Sequence, residues 1–236
     1  MFLSIVIPAH NEEHRLLPTL GRIAAFLNAQ PYKSEVLVVE NGSSDRTFEV
    51  ASEFARTWDR LRVVREARRG KGLAVRSGMR QAAGQYRFLC DADLSMPIEE
   101  LAFFLPPKQA DFDVAIATRE SPQARVIEPL RRRMVGRVFN RLVRLLVLRG
   151  IRDTQCGFKC FTARAAEIIF PRQRLEGLTF DVEALYIARR HGLRIVEVPI
   201  TWRYDADSRV RMGSDSLRMA MDLLTIRRNA RNGLYD

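Results

Sequence analysis

The chain has 236 residues, 47% hydrophobic and 28% charged, which is enough to bury one sizeable core and unlike a disordered or fibrous composition. A formal charge of +11 favours partners that carry phosphate, whether nucleotide, nucleic acid or anionic lipid. Three irregularly spaced cysteines, Cys90, Cys156 and Cys160, exclude a disulfide framework and a four-ligand zinc site, and no apolar run of about 18 residues is present to span a bilayer. The cysteines read as reduced thiols of a cytoplasmic protein, and the segment after Met1 is too short and uncharged for a signal peptide.

In chain order, residues 3–7 read as a buried strand closed by Pro8. After a loop over 9–13, a helical pattern places Leu16, Leu17, Leu20, Ile23, Ala24 and Leu27 on one face. A second strand spans 35–39. Ser43 and Ser44 are expected to cap the following helix, 47–58. Residues 61–64 form a third strand, and the basic turn 68–72 opens a helix over 73–83. The fourth strand, 86–90, ends in Asp91-Ala92-Asp93. Alternate residues of a strand share a face, so the two carboxylates are expected to converge at its end, where hard oxygen ligands suit Mg²⁺ or Mn²⁺ carrying phosphate groups. The bland alternative is a solvated turn or helix cap.

Alternating strands and helices predict an α/β fold with a mostly parallel sheet. The loops at 9–13, 40–44, 69–72 and 91–95 then gather along one rim, where open α/β sheets bind nucleotides. Neither a Gly-x-Gly-x-x-Gly turn after the first strand nor a P-loop is present, which disfavours dinucleotide enzymes and P-loop NTPases.

The second half is basic: ten arginines and two acids lie between Arg119 and Arg152. Residues 112–117 read as a strand and 130–148 as a helix. That helix carries Leu130, Met134, Val138, Phe139, Leu142 and Leu146 on one face and Arg133, Arg137, Arg141 and Arg144 on another. Such a helix either lies in a headgroup boundary or packs on the core with a solvated basic face. Nucleic acid is disfavoured as partner, since few aromatics are interleaved for base stacking. Asp181 reads as an N-terminal cap of a helix over 182–190, and Asp153 as a loop former or turn cap. His191-Gly192 reads as a helix end, with His14 and His191 on the surface. Residues 214–231 form a last helix with Leu217, Met221 and Leu224 apolar.

Four motifs in this order, VIPAHNEE (6–13), VENGSSDRT (39–47), GKGLAVRSG (70–78) and DAD (91–93), resemble family 2 glycosyltransferases of the GT-A fold. IRDTQCGFKCF (151–161), FDVEALYIA (180–188), EVPITW (197–202) and SRV (208–210) extend the resemblance to the polyprenyl-phosphate branch: dolichyl-phosphate mannose synthases and, more closely, dolichyl-phosphate β-glucosyltransferases. The resemblance implies a single GT-A domain over 1–236, with a nucleotide-sugar half (1–118) and an acceptor half (119–236) carrying interfacial helices. It implies that Pro8, Ala9, His10, Asn11 and Glu12, with Glu40, Gly42 and Ser43, hold the base and ribose of a sugar nucleotide. Lys71 would sit near the nucleotide, and Asp91, Ala92 and Asp93 would meet ribose, metal and diphosphate. Arg119 and Arg133, joined by Arg137 and Arg209, would hold the acceptor phosphate. The chain departs from the family pattern at His10, at Glu40-Asn41, at Ser95 and at Arg137.

The activity so implied is inverting transfer of a hexose from a nucleotide sugar, UDP-glucose preferred and GDP-mannose possible, to a polyprenyl phosphate, on a protein held peripherally at the inner face of the membrane. The alternative is a hydroxyl acceptor with Asp181 as base.

Overall fold

The computed structural model describes residues 1–127, 130–203 and 214–236, and for 130–133, 135 and 214–216 the backbone only. The strands are β1 (Leu3–Ala9), β2 (Ser34–Asn41), β3 (Leu61–Glu66), β4 (Tyr86–Leu89), β5 (Val114–Thr118), β6 (Arg125–Ile127), β7 (Lys159–Thr162), β8 (Ile195–Pro199) and β9 (Thr201–Arg203). The helices are α1 (Glu13–Asn28), α2 (Thr47–Ala55), α3 (Lys71–Gln81), α4 (Leu130–Leu146), α5 (Ala163–Arg172), α6 (Phe180–Arg190) and α7 (Ser214–Arg231), with a 3-10 helix at Ile98–Phe104.

Seven strands form one sheet in the order β3-β2-β1-β4-β7-β5-β8, all parallel to their neighbours except β7, which runs antiparallel to both β4 and β5. Alternation along each strand divides the core into two. In β1 and β2, Val6, Leu37 and Val39 face a core built with α3 to α7, while Ile5, Ile7, Val36 and Val38 face a core built with α1, α2 and the 3-10 helix. Strands buried on both faces explain the near-continuous Val, Ile and Leu of the first half.

Several expectations need correcting. Pro8 does not close β1, which runs to Ala9. The Val6 carbonyl accepts from Cys90 on the β4 side and the pairing with β4 ends at Val6, so Pro8 lies beyond that ladder and its missing N–H interrupts none of its bonds. Ser43 and Ser44 do not cap α2. The cap position is Arg46, whose side chain makes no cap bond, and the Asp45 carboxylate before it accepts from Thr47 N at 3.0 Å and from Glu13 N at 3.2 Å. The stripe expected on α4 is split between two sides. Phe139 and Val143 belong to the core, with Leu142 and Leu146 packed on it, whereas Met134 and Val138 are exposed.

The two expected halves also share the sheet: β7 and β8 come from the second half, and β7 lies between β4 and β5 of the first.

Candidate active site

The parallel strands β1 to β4 deliver their C-terminal loops to one rim, and these loops enclose a cleft of about 810 Å³. Pro8 near the end of β1 and His10 and Glu12 after it line the cleft, with Asn41 at the end of β2, Arg69 to Lys71 after β3, and Asp91, Ala92 and Asp93 after β4. Asp91 and Asp93 lie beyond the end of β4, in a turn where Leu94 N donates to the Asp91 carbonyl. That turn, rather than strand alternation, brings the carboxylates to one cleft. Leu94 is held at φ 45° although it is not glycine, a conformation costing about 1–3 kcal/mol and concentrated in proteins at functional sites.

The Lys71 ammonium meets Asp91 Oδ1 at 2.6 Å. Burial acts to lower the pKa of Lys71, but the carboxylates of Asp91, Asp181 and Asp93 outweigh it and the net shift is upward. Burial, then the charge of Asp91, raises Asp93, against hydrogen bonds from Ser95, whose N–H donates to Oδ1 at 3.0 Å. Two close carboxylates offer hard oxygen donors of the kind that fits a divalent cation, and one ammonium answers them here.

Ala9, Asn11, Glu40, Gly42 and Ser43, also expected at the donor site, are not among the residues that line the cleft. Ala9 is fully buried. Asn11 adopts φ 56°, its N–H donating to Ser43 Oγ and its Oδ1 accepting from Ser44 N, so the first two loops are tied together. Glu40 is buried, accepts from Ser43 N at 2.5 Å and pairs with Arg65 at 3.4 Å. Gly42 supplies the φ of +68° that this turn needs. His10 Nδ1 donates to the Asn41 carbonyl at 3.0 Å, and Glu12 grips Arg15.

Arg119 and Arg137 do not line this cleft. Arg119 makes a forked contact with fully buried Asp153, at 2.7 and 3.0 Å, and its guanidinium lies 5.2 Å over the Trp202 ring. Asp153 also accepts from Gln155 N, so it both closes a turn and fixes an arginine. Arg137 pairs with Glu120 at 3.4 Å and lines a smaller cavity with Asn140, Arg144 and Arg152. The Arg133 side chain and all of Arg209 lie outside the described residues.

Asp181 is not a helix cap. It is the second residue of α6, and its Oδ1 accepts from Lys159 Nζ at 2.7 Å, with both side chains buried. Lys159 also donates to the Cys156 carbonyl. His191 does end α6, but rather than standing free on the surface it bonds the Tyr235 carbonyl at 2.7 Å through Nε2.

The far wall of the cleft escaped the sequence reading. It is built from residues 175–178 and from Arg218 and Asp222 of α7. Buried Gln173 donates to the carbonyls of Gly72 and Leu175, Glu183 accepts from the N–H groups of Arg174 and Leu175, and Thr179 Oγ1 donates to Asp222 at 2.7 Å. No local pattern announces these bonds.

The mostly parallel sheet with an acidic turn at its C-terminal rim is the architecture of GT-A glycosyltransferases, and the chain belongs to glycosyl transferase family 2, whose model matches residues 4–170. It is 33% identical over 257 residues to the dolichyl-phosphate β-glucosyltransferase of Saccharomyces cerevisiae, covering 100% of this chain and 77% of that protein. With the Homo sapiens protein of the same name the identity is 33% over 241 residues, covering 95% and 74%. Glucosyl-3-phosphoglycerate synthase from Mycobacterium tuberculosis, crystallised with Mn²⁺ and UDP-glucose, shares the fold at a TM-score of 0.68 with 17% identity, covering 98% of this chain and 79% of that one.

Proposed function

We propose that the protein transfers glucose from UDP-glucose to a dolichyl or other polyprenyl phosphate, with inversion at the anomeric carbon. The observation that carries this reading is the convergence of Lys71, Asp91 and Asp93 with the ends of the first two strands on one cleft, in a chain whose curated relatives are named for this activity. Those relatives are glucosyltransferases, which is why UDP-glucose is proposed and GDP-mannose is not.

In this reading Pro8, His10, Glu12 and Asn41 meet the nucleotide, and Ala9, Asn11, Glu40, Gly42 and Ser43 hold their loops in place. Asp91 and Asp93 would hold Mg²⁺ or Mn²⁺, which supplies Lewis-acid charge for the departing diphosphate when bound. Lys71 adds a second positive charge beside it. The acceptor phosphate, which Arg119, Arg133, Arg137 and Arg209 of the acceptor half would bind, forms the new C–O bond as the bond to UDP breaks. A phosphate monoester has a second pKa near 6, so it attacks as a dianion with no base to remove a proton. The position of Asp181 supports this over the hydroxyl-acceptor alternative, because its carboxylate is buried against Lys159 and is not among the residues that line the cleft.

A lipid acceptor is further supported by the surface. Met134, Val138 and Leu145 on α4, and Leu217, Met221 and Leu224 on α7, are 55% to 72% exposed, and the two helices pack together. At 100° per residue each trio forms a single outward stripe, with Arg137, Arg141 and Arg144 beside that of α4. No described helix is long and apolar enough to cross a membrane, and these stripes are suited to lying on one, at the inner face.

The test is transfer of radiolabel from UDP-glucose to a short polyprenyl phosphate. Product is expected with UDP-glucose and not GDP-mannose, and it is expected to vanish in Asp93→Ala or with a chelator. Undiminished glycolipid synthesis in Asp93→Ala would overturn the reading. The variant carrying both Lys159→Met and Asp181→Asn, which leaves no lone buried charge, should retain transfer. Its complete loss in a folded protein would favour Asp181 as base.

A further inference from the structure

Gly157 lies in the stretch between Asp153 and Lys159, which the mechanism above leaves without a task. β7 pairs antiparallel with β4, with Leu89 opposite Lys159, and continuing that register two residues sets Gly157 opposite Asp91. A Cβ built on Gly157 would meet Asp91 Oδ2 at 1.8 Å, Cγ at 2.5 Å and Oδ1 at 3.0 Å. These three atoms are the nearest, and all belong to the Asp91 carboxyl group. The backbone of Gly157 is not in the left-handed region, so its conformation does not call for glycine. Space alone does.

We infer that Gly157 is a positioning residue for the donor site: its bare backbone is the seat that holds the Asp91 carboxylate where Lys71 and the donor's cation reach it. The inference rests on Asp91 serving the donor, as proposed above. Asp91 is held from two directions, Oδ1 by the Lys71 ammonium at 2.6 Å and Oδ2 against Gly157.

The seat is itself anchored at both ends. Asp153 is forked onto Arg119, Thr154 Oγ1 bonds Asn140 Oδ1 at 3.2 Å, and Lys159 is tied to Asp181. The loop therefore cannot retreat cheaply from an added methyl group. The Asp91 side chain can, by rotating about χ1 and giving up its ion pair with Lys71. The cost of a methyl group at 157 thus falls on the site and not on the fold.

The experiment is a double-mutant cycle of Gly157→Ala and Asp91→Ala, with Gly21→Ala as control, since nothing lies within 4 Å of a Cβ there. Three quantities are read: glucosyl transfer, binding of UDP with Mn²⁺ by calorimetry, and unfolding temperature. Gly157→Ala is expected to slow transfer by about 10²-fold, the scale of a misplacement near 1 Å, and to weaken UDP·Mn²⁺ binding. The double variant should be no worse than Asp91→Ala alone, and any unfolding temperature lost in Gly157→Ala should return in it, because the obstructing carboxylate is gone. Wild-type binding and turnover in Gly157→Ala, penalties that add in full, or a lost stability that does not return would each overturn the inference. If Asp91→Ala is harmful and Gly157→Ala harmless, the inference alone fails. If Asp91→Ala is itself harmless, the donor-site reading falls with it.

Discussion

Lys159 and Asp181 show how much a single residue in the centre of this sheet has to satisfy. Burial raises the pKa of Asp181 against the opposing pull of Lys159 and Lys71, so the carboxylate depends on its partner to stay ionised. Lys159→Met should therefore cost about 3–5 kcal/mol, the scale of a lone buried charge, and adding Asp181→Asn should recover most of it, both read from urea unfolding. Asp153 behaves oppositely. Burial would raise its pKa, but Arg119 outweighs burial and holds it below the ordinary carboxylate range. Its contribution is thus present above the unfolded value of about 3.9 and lost as pH falls through the folded value. Relative to Asp153→Asn, the wild-type chain should lose its advantage only below about pH 4, visible as a steeper acid limb in the unfolding free energy.

At the level of elements, the outward stripes of α4 and α7 can be removed without touching the core. Val138→Asp and Met221→Asp should each leave stability within about ±0.5 kcal/mol, as exposed substitutions do, and should weaken sedimentation with vesicles containing anionic lipid. Unchanged vesicle binding in the double variant would count against these helices as the contact. The sequence showed both helices but not which way their apolar residues point, because a hydrophobic period does not say how many partners a helix has. The same limit applies elsewhere. β1 to β4 and the rim they feed were legible from apolar runs and turn residues, since parallel strands carry their own local signal. β7 was not, because it begins at a buried lysine and is defined by its partners rather than by its composition. Asp181 looked like a cap for the same reason: its lysine is 22 residues away in the chain.

Across the whole molecule, ligand binding and folding are coupled through the rim. UDP with Mn²⁺ at 100 times its dissociation constant should stabilise the folded chain by about 2.7 kcal/mol, read as a rise in unfolding temperature. EDTA should abolish most of that rise, and Asp93→Ala should lack it from the start. A rise that survives EDTA in full would argue against a cation in donor binding.

The reversed strand at the middle of the sheet also bears on how the protein is made. As the chain leaves the ribosome, the first 118 residues hold every loop of the nucleotide rim, yet β4 and β5 have no bridge between them until residue 162 has emerged. Until then each carries an open edge of the kind that invites pairing with other chains. A fragment ending at residue 118 should precipitate when expressed alone and be rescued by co-expression of 119–236, because the later piece carries the strand that closes the gap.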